Sequence, residues 1–269
     1  MTDLHLHTDY SYDSQERAEN YLLAAQTRGI TRLGFAEHFD YDVFLEQGGK
    51  TKNFRLTDVK QYLIEMQRLS RKFPLVKILK GIELGFSPAA LPHYQMLVQE
   101  NQFDYVILSV HTVPDRGDCY YPAFFTDTTK KQAYEEYLNA VLESVRSDLN
   151  YQIVGHLGYI ARYAPYPDKC LQYRDFSSLI DEILKELIAR GKYLEINTSS
   201  KGAKDLFLPA QDILDRYLEL GGERITFGSD AHDSQRLAEH IDAVKTFLYS
   251  RGITHTYWFE EGIPRKEKI

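Results

Sequence analysis

The stretch Asp3-Leu4-His5-Leu6-His7-Thr8-Asp9-Tyr10-Ser11-Tyr12-Asp13 opens the chain and decides how the rest is read. As a strand it places Asp3, His5 and His7 on one face and Leu4 and Leu6 on the other, because strand side chains alternate with period two. Two imidazoles then stand side by side over a cavity while the leucines enter a core, and Asp13 follows on the next loop. Neutral imidazoles with a carboxylate are the donors a divalent metal takes. A lone His-x-His also arises by chance on surface strands, so the weight falls on what the other strands deliver.

Apolar runs at 33–36, 76–83, 105–110, 153–155, 193–197 and 224–228 read as further strands, separated by helical stretches near 18–28, 57–72, 88–101, 130–149, 176–190 and 209–220. A last helix is expected over about 235–251. The strands run in turn into His38, Glu83, His111, His156, Asn197 and the pair Asp230 and His232. Strands alternating with helices imply parallel βα units, and a closed βα barrel brings all strand C-terminal ends to one face. An open doubly wound sheet would instead spread them along a crevice. The expectation is therefore a single α/β domain over residues 1–269, a TIM-like barrel of seven strands. His5, His7, Asp13, His38, Glu83, His111, His156, Asp230 and His232 should meet at its mouth. Nine donors exceed what one ion of four to six bonds accepts and suffice for two or three if Glu83 bridges; three are expected.

Composition narrows the partners. The 269 residues are 43% hydrophobic, enough for a large core. A net charge of −7 with singly scattered Lys and Arg offers no basic stripe for a nucleic acid. No apolar run approaches the roughly 20 residues of a membrane span, and the N-terminus lacks the order of a signal peptide, so a cytoplasmic protein is expected. Cys119 and Cys170 are far apart and expected to be free thiols. Residues 42–54 read as a loop, and the tail after Pro264 is expected to fray.

These residues resemble the polymerase-and-histidinol-phosphatase (PHP) domain family. The resemblance rests on Asp3-x-His5-x-His7-Thr8 with Asp13, on Glu37-His38, on Gly228-Ser229-Asp230-Ala231-His232, and on Glu83, His111 and His156 between them. It covers essentially the whole chain and implies a distorted (β/α)7 barrel of PHP type. The region from His156-Leu157-Gly158 to Arg162, together with Leu194-Glu195-Ile196-Asn197-Thr198-Ser199, resembles the family's stand-alone L-histidinol-phosphate phosphatases. That implies a phosphate monoester substrate, L-histidinol phosphate, hydrolysed in histidine biosynthesis with three divalent ions of Zn, Mn or Fe. The implied partition puts His5, His7, Glu83 and Asp230 on one ion, Glu83, His111 and His156 on a second, and Asp13, His38 and His232 on the third. Three such ions outweigh the charge of Asp13, Glu83 and Asp230 and leave about +3 for a phosphate dianion.

The resemblance makes Arg162 the phosphate contact, with Ser199 and Lys201 as weaker substrate contacts on the loop after Asn197. Relatives often carry Asp before the second-motif histidine and Gly-Leu-Arg after Asn-Thr-Ser. Here Glu37 and Ser200-Lys201-Gly202 stand instead. Asp13, Asp230 and His232 are the candidates for proton transfer at the leaving oxygen. Asp3 could orient the His5 imidazole, and Tyr120, Tyr121, Phe124 and Phe125 could form an aromatic lid. Two rivals keep the metals: a phosphodiesterase or nuclease on small nucleotides, and an amidohydrolase, which Glu83 and a count of seven strands disfavour. A non-catalytic metal-binding regulator would be expected to show gaps in the ligand set.

Overall fold

The computed structural model describes residues 1–41, 56–199 and 206–269. The loop expected at 42–54 and the candidate Lys201 lie outside the described residues. Seven parallel strands form one sheet: β1 (Thr2–Leu6), β2 (Arg32–Phe39), β3 (Lys77–Gly85), β4 (Tyr105–Ser109), β7 (Ile153–Val154), β8 (Tyr193–Asn197) and β9 (Ile225–Gly228). A parallel bridge between Leu6 and Ala231 brings β9 back to β1 and closes the barrel. A short antiparallel hairpin, β5 (Thr112–Val113) and β6 (Gly117–Asp118), sits above β4.

Helices α1 (Ala18–Arg28), α2 (Val59–Lys72), α3 (Leu91–Glu100), α4 (Lys130–Arg146), α5 (Ile160–Tyr163), α6 (Ser177–Ala189), α7 (Gln211–Glu219) and α8 (Ile241–Ser250) follow the strands. Their ends are set locally. Asp58 accepts the Gln61 amide at the start of α2, Thr129 and Gln132 form a reciprocal cap on α4, and Gly29 closes α1 with φ +68°. Most of the apolar core lies between these helices and the outer faces of the strands.

Inside the barrel a smaller core of Leu4, Ala36, Leu79, Tyr105, Ile107, Ile153, Tyr193 and Phe259 fills the N-terminal half. Tyr105 lies across it, its hydroxyl donating to the Leu4 carbonyl at 2.6 Å. A side chain at Gly34 or Gly81 would overlap Tyr105, so both positions must be glycine for the ring to fit. Phe259 enters from below on β10 (His255–Glu260), which pairs antiparallel with β11 (Ile263–Lys268). The tail after Pro264 is thus an ordered strand and does not fray. The Glu261-Gly262 turn has positive φ at both residues, the geometry that matches strand twist, and Glu267 accepts from Thr2 while pairing with the Met1 amino group and Arg32.

Candidate metal centre

The opening stretch is a strand, but not a regular one. Pairing steps from Asp3↔Leu33 to Leu6↔Phe35, three residues on β1 against two on β2, which is a bulge. The bulge breaks the expected alternation: Leu4 points into the barrel, whereas Leu6 packs outward against α1 and Phe35. His5 and His7 still both reach the interior. Asp3 does not hold an imidazole. Its carboxylate accepts the backbone amides of His5 at 3.3 Å, Ser229 at 2.9 Å and Ala238 at 3.0 Å, tying β1 to the segment after β9.

All nine expected donor side chains converge at the C-terminal mouth, with Glu83 at the centre. Its Oε2 lies 2.9 Å from His38 Nδ1, 3.2 Å from His5 Nε2 and 3.6 Å from His7 Nε2. Its Oε1 lies 2.9 Å from His156 Nε2 and 3.4 Å from His111 Nε2, and accepts the Ser109 hydroxyl at 2.6 Å. Asp230, left-handed at φ +52°, comes 3.5 Å from His7 Nε2. Half-exposed Asp13 lies 3.0 Å from His232 Nε2 and 3.5 Å from His38 Nε2.

Six of the nine donors form three compact, overlapping groups: His5 with His7 and Glu83, His38 with Glu83 and His111, and His7 with His38 and His232. Within each, one donor atom per residue lies within 4.8 Å of the others. The first matches the implied partition apart from Asp230, the second has His38 in place of His156, and the third has His7 in place of Asp13.

The polar atoms of this cluster fit divalent cations. His5 Nε2, His7 Nε2, His38 Nδ1 and Glu83 Oε2 are buried without a hydrogen-bond partner. His38 Nδ1 and Glu83 Oε2 are close but not aligned for a hydrogen bond. Buried polar groups are rarely left in this state unless something else binds them. The nitrogens of His111 and His156 face each other at 3.3 Å, which an ion or a single shared proton can reconcile and two N–H groups cannot. Without cations, imidazolium supplies the positive charge. Burial opposes charge on His5, His38 and His111. Glu195 and Glu83 nevertheless hold His5 well above its ordinary pKa, Asp13 and Glu83 do so for His38, and Asp40 and Glu83 push His111 up to about 10. His7 and His156 are held below theirs, chiefly by burial. Burial also opposes ionisation of Glu83 and Asp230, yet His5 and Arg162 respectively lead in holding them far below the usual carboxylate range.

Three carboxylates aim the imidazoles, and none stood among the expected site residues. Glu195 takes the Nδ1–H of His5 at 2.5 Å and the amide of His156 at 2.7 Å, leaving His5 Nε2 to face Glu83. A side chain at Gly228 would overlap both Glu195 and His5. Asp40 lies 3.1 Å from His111 Nδ1. Glu37 accepts the Thr8 amide at 3.0 Å and the Ser11 hydroxyl at 2.6 Å, and the same Ser11 oxygen lies 3.1 Å from His7 Nδ1. Such outer partners fix tautomer and ring orientation. The readable signal was spacing: Asp40 stands two residues after His38 and Glu195 two before Asn197, both in the inward phase of their strands.

A cavity of about 360 Å³ opens over the cluster, walled by Tyr12, Tyr120, Tyr121, Tyr159 and Tyr163 with Asp118 and Arg162. Burial pushes Asp118 up to about 6. Buried Arg162 reaches Asp230 at 2.8 Å, Asn197 Oδ1 at 2.7 Å and the Ser199 carbonyl at 3.3 Å, with its Nε unpartnered. Ser199 is buried and its hydroxyl accepts from Arg236 at 3.1 Å. Tyr120 and Tyr121 line the cavity, whereas Phe124 and Phe125 are buried in the outer core.

The PHP domain model matches residues 3–199. A histidinol-phosphatase of Lactococcus lactis is 32% identical over 251 residues, covering 93% of this chain and 91% of that protein. Among solved structures, histidinol phosphate phosphatase from Lactococcus lactis complexed with zinc, L-histidinol and phosphate superimposes with a TM-score of 0.87. It is 30% identical and covers 98% of both chains. A structure from Listeria monocytogenes, 18% identical with a TM-score of 0.79 over 90% of this chain and 99% of that one, supports the fold alone.

Proposed function

The chain belongs to the PHP domain family, and from that premise we propose that it is a metal-dependent phosphatase converting L-histidinol phosphate and water to L-histidinol and phosphate in histidine biosynthesis. The observation that carries this reading is the Glu83-centred cluster with its unpartnered buried atoms, beneath a cavity that His38, His111, His156 and Arg162 line. His5, His7, Asp13, His38, Glu83, His111, His156, Asp230 and His232 would hold three divalent ions. Zinc comes first because it is present in the Lactococcus lactis relative, and Mn or Fe are admitted by a shell without thiolate. The chemistry such ions supply is Lewis acidity, which lowers the pKa of a water from about 15.7 toward about 7 and neutralises phosphate charge.

The chain's own groups do the rest. Arg162, held by Asp230, Asn197 and the Ser199 carbonyl, presents its guanidinium to the phosphate oxygens, and Lys201 is a second candidate on the adjoining loop. Asp13 takes the proton that the attacking water gives up and returns it to the leaving alkoxide, with His232 holding its carboxylate at the rim and Asp230 anchoring Arg162. No covalent bond to the enzyme forms. The tyrosine wall excludes water and accommodates the imidazole ring. The substrate is a small molecule, with no nucleic-acid or membrane partner. Among the described residues no helix is long and apolar enough to cross a membrane. A cytoplasmic site of action is supported by the two free cysteines.

The test is phosphate release from L-histidinol phosphate by zinc-loaded protein, with metal analysis of the same sample. Activity lost on chelation and restored by zinc, with about three ions per chain, is expected. Faster turnover of a phosphodiester than of L-histidinol phosphate would overturn the substrate assignment.

A further inference from the structure

The cavity carries opposite charges on its walls, and the hydrolytic step uses one of them. Arg162 provides the cation. Asp118, at the end of β6, provides an anion with no part in the donor cluster. One of its oxygens accepts the Tyr120 amide at 2.7 Å, which fixes the carboxylate on the hairpin. Asp13, Asp40 and Asp230 in the same mouth each have a histidine or arginine partner. Among the described residues no such partner forms an ion pair with Asp118, and His111 and His38 act on it only at longer range. Around the same cavity Tyr120 and Tyr159 each stand edge-on to Tyr163, at 5.0 and 5.2 Å. A carboxylate beside tyrosine rings is a site for an organic cation, through a charge-assisted hydrogen bond and the negative ring faces.

We propose that Asp118 is a specificity-determining residue: its carboxylate binds the primary ammonium of the substrate's alcohol part, so that the enzyme selects phosphate monoesters of amino alcohols. This rests on the phosphatase reading above. An ester carrying a phosphate and, on the neighbouring carbon, an ammonium offers one charge to each of Arg162 and Asp118, which both line the cavity. Asparagine keeps the oxygen that accepts the Tyr120 amide and removes only the charge.

The experiment compares kcat/KM for L-histidinol phosphate and for its amine-free analogue, 3-(imidazol-4-yl)propyl phosphate, in zinc-loaded wild type and Asp118→Asn. The wild type should prefer the amine ester, and the variant should lose about ten- to a hundredfold of that preference, mostly through KM, because a hydrogen bond between charged groups is worth that much. Zinc content and thermal midpoint should be unchanged. An unaltered ratio, or equal loss on both esters, overturns the assignment of Asp118 while leaving the phosphatase reading intact. A wild type that turns over neither ester defeats that reading itself.

Discussion

At the N-terminal end of the barrel the strands fill the interior with Leu4, Ala36, Leu79, Tyr105 and Phe259, whereas at the C-terminal end the same sheet presents His5, His38, Glu83, His111 and His156. Below, the buried Tyr105 hydroxyl is matched by the Leu4 carbonyl. Above, several buried nitrogens and a carboxylate oxygen have no partner. The closed end contributes stability through burial. The open end is held in an arrangement that the protein alone does not satisfy, which is the mark of a site completed by bound ions.

The sharpest way to break this division is at Glu83. Glu83→Ala removes the group facing five imidazoles and should lower kcat/KM by roughly a thousandfold or more, since the charge stabilisation at such a site is worth several kcal/mol. Zinc content per chain should fall with it. Retention of both full metal content and activity would show that the cluster is not the working centre. The opposite pole is tested by Phe259→Ala, which should cost about 3–5 kcal/mol by emptying the plug, visible as a lower thermal midpoint. Activity of the remaining folded enzyme at 25 °C should stay within about twofold. A large loss of turnover there would mean that the two ends are coupled.

How far this division could be read beforehand depended on the kind of interaction. The seven strands and the donors at their ends were legible because period-two runs and strand-end residues are local features, and closure of the barrel brings them together without further information. The bulge between Asp3 and Leu6 was not, because it is set by pairing with Leu33 and Phe35 and by the amides of Ser229 and Ala238, far away in sequence. The same holds for Glu267, whose partners Met1, Thr2 and Arg32 turn an apparently polar tail into the barrel's lower closure. Asp40 and Glu195 were visible as residues, but their roles depend on ring orientations that only the packed structure fixes.

Glu195 gives a smaller and more selective test of the open end. Glu195→Gln keeps the shape and an acceptor for His5 Nδ1–H but loses the charge, so zinc affinity should fall about 10- to 100-fold, as for other carboxylates behind a ligating histidine. Activity should return at saturating zinc. Loss that excess zinc does not repair would place Glu195 in the reaction itself and not in the aiming of His5.

The finest measurement is of protons. In the metal-free protein His5, His38 and His111 have raised pKa values, that of His111 reaching about 10, so their charged forms contribute stability. That contribution is fully present below the unfolded value of about 6.5 and is lost as pH rises through the folded value, for His111 through about 10. Cations bound through the same nitrogens must displace those protons. Zinc uptake at pH 7 should therefore release roughly two or three protons per chain, and apparent affinity should climb with pH. Calorimetry in buffers of different ionisation enthalpy reads the number directly. Release of less than one proton would mean that these imidazoles are already neutral without metal, and that the open end is not held together by the charge pattern its geometry implies.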